Sequence, residues 1–236
     1  MAKDITPELL DSIRKDFKKS FNSSKEIKRI HALLEKGEAT YADAHFYSEE
    51  IGKMLSSSLQ KFIHKDILPD GRMYYNIAER IFNDTLGTNY DLISALTTEA
   101  QKLINSQVGL GLKAIQPPIN QSRIDGIVDK ISAAQDFDDV AWLLGEPVNN
   151  FSMAIVDEFA KVNAEFQSDA GLKPKIVRRS FGDCCAWCDN LSGEYEYPHN
   201  VPDDVYKRHR ECNCTVEFVL GDKKGKKDVW TKEWRR

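Results

Sequence analysis

Five cysteines fall between positions 184 and 214 and none precedes them in a chain of 236 residues. Scattered core thiols would not cluster in this way, and an odd number does not complete a disulfide framework, so ligation of a soft metal is the chemistry that this spacing favours. The run Cys184-Cys185-Ala-Trp-Cys188 contains a C-x-x-C step that can turn two thiolates, Cys185 and Cys188, toward one ion. Further on stands His209-Arg-Glu-Cys212-Asn-Cys214. In an extended segment Cys212 and Cys214 project to the same face, because side chains alternate with a period of two. Four sulfurs then suffice for a tetrahedral zinc site, with His209 able to replace one of them. A module of roughly 60 residues with few large apolar side chains builds little core, and a structural zinc supplies the missing stability. The competing reading is a set of reduced, metal-free thiols packed around Trp187, and Cys184 is either an alternative to Cys185 or an ordinary core residue.

The elements that must position these groups are mostly helical. Thr6-Pro7-Glu8 opens a helix with Thr as N-cap and Pro at its first position, and Leu10, Ile13, Phe17 and Phe21 give it one apolar face. Ser23 and Glu26 form a capping box for a second helix that buries Ile27, Ile30 and Leu34 and ends at Gly37. A third runs from Thr40 to about His64, with Ile51, Leu55, Leu59 and Phe62 as its stripe, and stops before Leu68-Pro69-Asp70-Gly71. Two further helical stretches, broken near Gly87, occupy 72–113, and Gln116-Pro117-Pro118 punctuates the chain. Shorter helices are expected at 121–134 and 137–145, followed by a long one whose face carries Phe151, Ile155, Phe159, Val162 and Phe166. After Gly171 the pattern changes, and 175–180, 194–197 and 215–220 read as short strands. The expectation is a mainly α protein: a multi-helical body over 1–172, and a small α+β Cys/His-rich module with a basic tail over 173–236.

Composition narrows the class. With 41% apolar and 30% charged residues the chain reads as globular, and no apolar run reaches the roughly 20 residues that span a bilayer. The segment MAKDITPELL lacks the apolar core of a secretory signal, so a reducing cytoplasm is the expected place of synthesis. The net charge of −4 conceals an asymmetry, since residues 207–236 carry ten Lys/Arg against five Asp/Glu. A basic tail on an acidic body can meet phosphate or an acidic protein surface, although KKGKK at 223–227 can equally be a solvated loop. Val108-Gly-Leu-Gly-Leu112 follows a helix and lacks a third glycine, so it does not read as a nucleotide loop. His31, His45 and His64 sit on separate helical stretches with no partner at ligand spacing and read as surface or satisfied core histidines.

The Cys/His segment resembles a known family. Its C-x-x-C, then Leu191-Ser-Gly193-Glu-Tyr-Glu-Tyr197, then His209-x-x-Cys212-x-Cys214-Thr-Val looks like the terminal motif of MuF-like minor head proteins of tailed phages, with Asn213 where that family usually has Arg. The tail Asp228-Val-Trp-Thr-Lys232 resembles the end of a Gram-positive-phage branch of the group. The motif covers about residues 175–235, while the helical body fits the family by character only. The resemblance implies a non-enzymatic virion component, made in the host cytoplasm and carried in a few copies inside the head near the portal. Its implied partners are the portal or major capsid protein, with non-specific contact to packaged DNA, and its implied roles are head assembly and DNA passage at ejection. No catalytic residue and no membrane association are expected, and Cys185, Cys188, His209, Cys212 and Cys214 are the candidate metal ligands.

Two other classes compete. An HNH-type nuclease also combines Cys pairs with histidines, and His199-Asn200 and His209 are its candidates, but the paired Asp-His that opens such a motif is missing. A papain-like Cys-His protease lacks an orienting Asn or Asp for His209. A nucleic-acid-binding module would use Arg178-Arg179, Lys207-Arg208, Arg210 and the tail to neutralise phosphates, independently of sequence.

Overall fold

A computed structural model describes residues 4–108, 111–182 and 184–220; the basic tail, its Asp228–Lys232 motif and part of the 108–112 glycine segment lie outside the described residues. The described chain is mainly helical with one small sheet. Its helices are α1 (Thr6–Ser23), α2 (Lys25–Glu35), α3 (Tyr41–Phe62), α4 (Tyr75–Val108), α5 (Gln121–Ala133), α6 (Glu146–Asp169) and the short α7 (Ala186–Asn190). The strands are β1 (Lys175–Arg179), β2 (Gly193–Glu196) and β3 (Thr215–Val219).

Caps and breaks follow local chemistry with some shifts. Thr40 caps α3 in a reciprocal box with Asp43. For α2 the cap is Ser24, not Ser23: its hydroxyl accepts from the Ile27 amide at 3.2 Å, and Glu26 pairs with Arg29 instead. For α1 the Asp4 carboxylate, not Thr6, accepts the free amide of the first turn at 3.0 Å, and Thr6 is buried inside the helix. Gly87 does not break the chain into two helices. α4 runs unbroken through it, because Ile81, Phe82, Leu86, Ile93 and Leu96 bury one continuous face, and this outweighs the roughly 1 kcal/mol that glycine costs within a helix. The stretch 137–145 forms two 3-10 turns, Phe137–Asp139 and Ala141–Leu144, in place of an α-helix.

α3 and α6 pack against each other at the centre, with α4 alongside, α1 and α2 against α3, and α5 against α4. Gly52 of α3 permits this closeness: a Cβ there would lie 2.5 Å from Asn149 Oδ1 and 3.0 Å from the Asn149 backbone. The extended segment before α5 is strapped to the bundle by two amides. Asn163 accepts from the Ile115 amide and donates to its carbonyl, at 2.9 and 2.8 Å, and Asn105 donates to the carbonyls of Leu112 and Lys113.

The sheet is antiparallel with order β2-β1-β3. In the register Ile176 lies opposite Phe218 and Arg178 opposite Val216. Cross-strand partners share a face, so Ile176, Arg178, Val216 and Phe218 all point to one side. That side meets α3 and α6, and Ile176, Val205, Val216 and Phe218 join the same apolar cluster as Ile51, Leu55, Val156 and Phe159. The cysteines form a separate small cluster at the end of the sheet.

Opposite outcomes are expected at two glycines. Gly87→Ala should stabilise the protein by about 0.5–1 kcal/mol, since a Cβ there meets nothing within 4 Å. Gly52→Ala should destabilise it by forcing α3 from α6. Urea unfolding midpoints check both, and a destabilised Gly87→Ala variant would contradict the continuous α4.

Candidate metal centre

The C-x-x-C step is carried on α7, with Cys185 at its N-cap and Cys188 one turn on, which brings their sulfurs within 4.8 Å of each other. The second ligand segment precedes β3. Glu211 adopts φ 60°, a left-handed conformation that bends the chain before Cys212 and Cys214 enter the interior. The donor atoms of Cys185, Cys188 and His209 lie within 4.8 Å of one another, as do those of Cys188, Cys212 and Cys214. Cys188 belongs to both sets, so all five expected residues meet around it. Its sulfur is 3.8 Å from Cys212 Sγ and 2.8 Å from His209 Nε2, and Cys185 Sγ is 3.2 Å from the same nitrogen. Cys188, Cys212 and Cys214 are buried and Cys185 is exposed. Cys184 packs against the cluster without belonging to either set.

The orientation of His209 is chemically specific. Its Nδ1 lies against the backbone carbonyl of Arg210. A carbonyl can only accept, so Nδ1 carries the proton and Nε2 presents its lone pair to the sulfurs, the arrangement by which a neutral imidazole ligates a metal. Burial pushes the Cys188 thiol up. Cys212 is instead held down, first by the hydrogen bonds from the Cys214 thiol and amide and then by the guanidinium groups of Arg208 and Arg178, while Cys214 is raised by donating its thiol proton to that bond. These Cys/His groups could bind a metal ion.

Two buried arginines, Arg178 and Arg208, flank the cluster, and their burial removes them from the phosphate contacts that the competing nucleic-acid-binding reading would give them. Arg208 is 2% exposed in its side chain and makes a bidentate pair with Asp157 of α6, with Nη2 to Oδ1 at 2.8 Å and Nε to Oδ2. His45 of α3 completes the group. Its Nδ1 lies 3.3 Å from Arg208 Nη2, which can only donate, and its Nε2 faces the backbone of Val216, 2.9 Å from the carbonyl and 3.0 Å from the amide. His45 is thus the satisfied core histidine anticipated, and it links α3 to β3. Arg178, 1% exposed, donates through Nη1 to the carbonyls of Val205 and Lys207. The one signal that could have separated Arg178 from its exposed neighbour Arg179 is period-two alternation in β1, where Arg178 follows Ile176 on the inward side. His31 and His64 are exposed on the helical side, and His199 stands exposed on a turn outside both ligand sets.

Comparison of the chain with protein-family models, with curated proteins and with solved structures finds no match.

Burial lowers the His45 imidazole from 6.5 to about 4, against the opposing pull of Asp157. Below pH 6.5 the unfolded chain therefore binds a proton that the folded chain refuses. Stability should fall as pH drops from about 6.5 to about 4, by about 3 kcal/mol in total, and this contribution should not change further below that. Urea unfolding across that window, at equal metal loading, should show a shallower slope in His45→Gln than in the wild type. Equal slopes would place the proton uptake elsewhere.

Proposed function

We propose that this chain is a zinc-stapled structural component of a tailed-phage head, of the MuF-like minor head class, and that it works through protein contacts without catalysing a reaction. The observation that carries this reading is the convergence of Cys185, Cys188, His209, Cys212 and Cys214. They are the residues on which the sequence resemblance rests, and they come together from two segments more than twenty positions apart. The donor set fits zinc. Tetrahedral Zn–S bonds of about 2.3 Å set sulfurs about 3.8 Å apart, the spacing of Cys188 and Cys212. A catalytic zinc keeps one position open for water, whereas here five protein donors contend for four positions. His209, turned toward the sulfurs, is not placed as the free general base that an HNH-type nuclease needs.

The helical body would then present the surface that meets the portal or major capsid protein, inside the head, after synthesis in the host cytoplasm. Contact with packaged DNA would fall to the exposed Arg210 and Lys207, the half-exposed Arg179 and the basic tail, because Arg178 and Arg208 are committed to the interior. Among the described residues no helix is long and apolar enough to cross a membrane.

Co-expression with the portal and major capsid proteins of the same phage genome is the test. The chain should copurify with portal-containing procapsids and be lost from shells assembled without portal, and Cys188→Ser should reduce its incorporation together with its zinc content. A chain that stays in the soluble fraction whether or not portal is present would refute the reading. DNA affinity measured against salt should fall with a log–log slope of a few contacts; a flat response would remove DNA from the account.

A further inference from the structure

Arg178 presents an electrostatic problem that its own surroundings solve only in part. A guanidinium remains charged at any pH the folded protein meets, and an uncompensated charge in a dry interior is costly. Arg208, equally buried, has Asp157. Arg178 has no carboxylate at ion-pair distance among the described residues. Its Nη1 meets two backbone carbonyls, its Nε is buried without a partner, and its Nη2 points at two sulfurs, Cys212 Sγ at 3.6 Å and Cys188 Sγ at 3.8 Å. The face of Trp187 covers it, with the guanidinium carbon 5.3 Å from the ring centroid, and the same indole stands 5.5 Å from His209. Carbonyl dipoles soften the charge of Arg178 without neutralising it. Among the described residues, the only groups touching it that can supply a formal countercharge are the cysteine sulfurs, as thiolates.

We propose that Arg178 is an integral part of the metal centre, the buried counter-cation of a net-anionic metal–thiolate complex, bound to it through N–H···S hydrogen bonds to Cys188 and Cys212. This rests on the metal-binding reading of the cluster. The charge balance is specific. Three thiolates and a neutral imidazole around a divalent ion leave one net negative charge, and four thiolates leave two. Either complex pairs with Arg178, whereas a divalent ion on neutral donors would add to its charge. The centre therefore selects a thiolate-rich coordination sphere, and an outer cation of this kind sets both affinity and the electron density on the sulfurs, as partners beyond the ligands do in metal sites generally.

Cobalt(II) substituted into the full-length protein reads both quantities through its sulfur-to-metal charge-transfer bands and through competition with a chelator. In Arg178→Met, cobalt and zinc should bind about ten-fold more weakly or worse. The charge-transfer bands should move to the red, because removing a neighbouring cation raises the energy of the sulfur donor orbitals. Arg178→Lys keeps the charge and loses the planar fork, so it should recover most of the affinity with a smaller red shift. A role confined to holding the Val205 and Lys207 carbonyls would weaken binding without moving the bands. Unshifted bands in Arg178→Met overturn the proposal, and if that variant does not fold, unshifted bands in Arg178→Lys do so. Wild-type protein that shows no sulfur-to-cobalt band at all would bring down the metal reading, and this inference with it, an outcome distinct from a bound metal that is indifferent to Arg178.

Discussion

The bidentate pair between Arg208 and Asp157 is the constraint around which the C-terminal half is arranged. Both side chains are almost completely buried, Asp157 on α6 and Arg208 in the loop that leads to the ligands. Taking one partner away would strand the other charge in the interior, which typically costs about 3–5 kcal/mol. That penalty ties the loop firmly to the helices. His209 follows Arg208 directly and Cys212 lies four residues on, with its carbonyl 3.4 Å from Arg208 Nη1. Positioning Arg208 therefore positions three of the five candidate ligands, His209, Cys212 and Cys214. His45 extends the tie to β3 through the Val216 backbone, so helix, loop and strand share one polar junction.

Beyond that junction, the sheet provides both an apolar contribution and a charge. Ile176 and Phe218 extend the core laid down by α3 and α6, while Arg178, on the same inward face, meets the thiol cluster at the sheet's end. The two arginines differ in what balances them: a carboxylate of the helical body for Arg208, and sulfur for Arg178. The cysteines form a small cluster beside that core, and their donors, brought within reach of one another, could bind a metal ion.

Much of this was legible in the sequence, because it rests on short-range pattern. Apolar residues at three- and four-residue intervals marked most of the helices, β-rich runs marked β1, β2 and β3 to within a residue or two, and Cys/His spacing marked five residues whose side chains converge. What escaped depends on neighbours distant along the chain. Arg178-Arg179 and Lys207-Arg208 look alike as basic pairs, yet in each pair one side chain is drawn inside by groups that local sequence cannot reveal: the thiols for Arg178, and Asp157, some fifty residues away, for Arg208. Gly87 looked like a break because its intrinsic cost is visible locally, while the burial on both sides that overrides it is not. Likewise the C-x-x-C step read as a turn, whereas it forms the short helix α7, whose Trp187 stacks on the Arg178 guanidinium.

The most direct test of the central claim, that the Cys/His cluster is a metal centre, is elemental analysis by inductively coupled plasma mass spectrometry of protein purified without a histidine tag, paired with thiol titration. The account predicts about one zinc per chain, with the ligand cysteines unreactive until a chelator removes the ion. Metal-free protein whose thiols react freely from the start would contradict it.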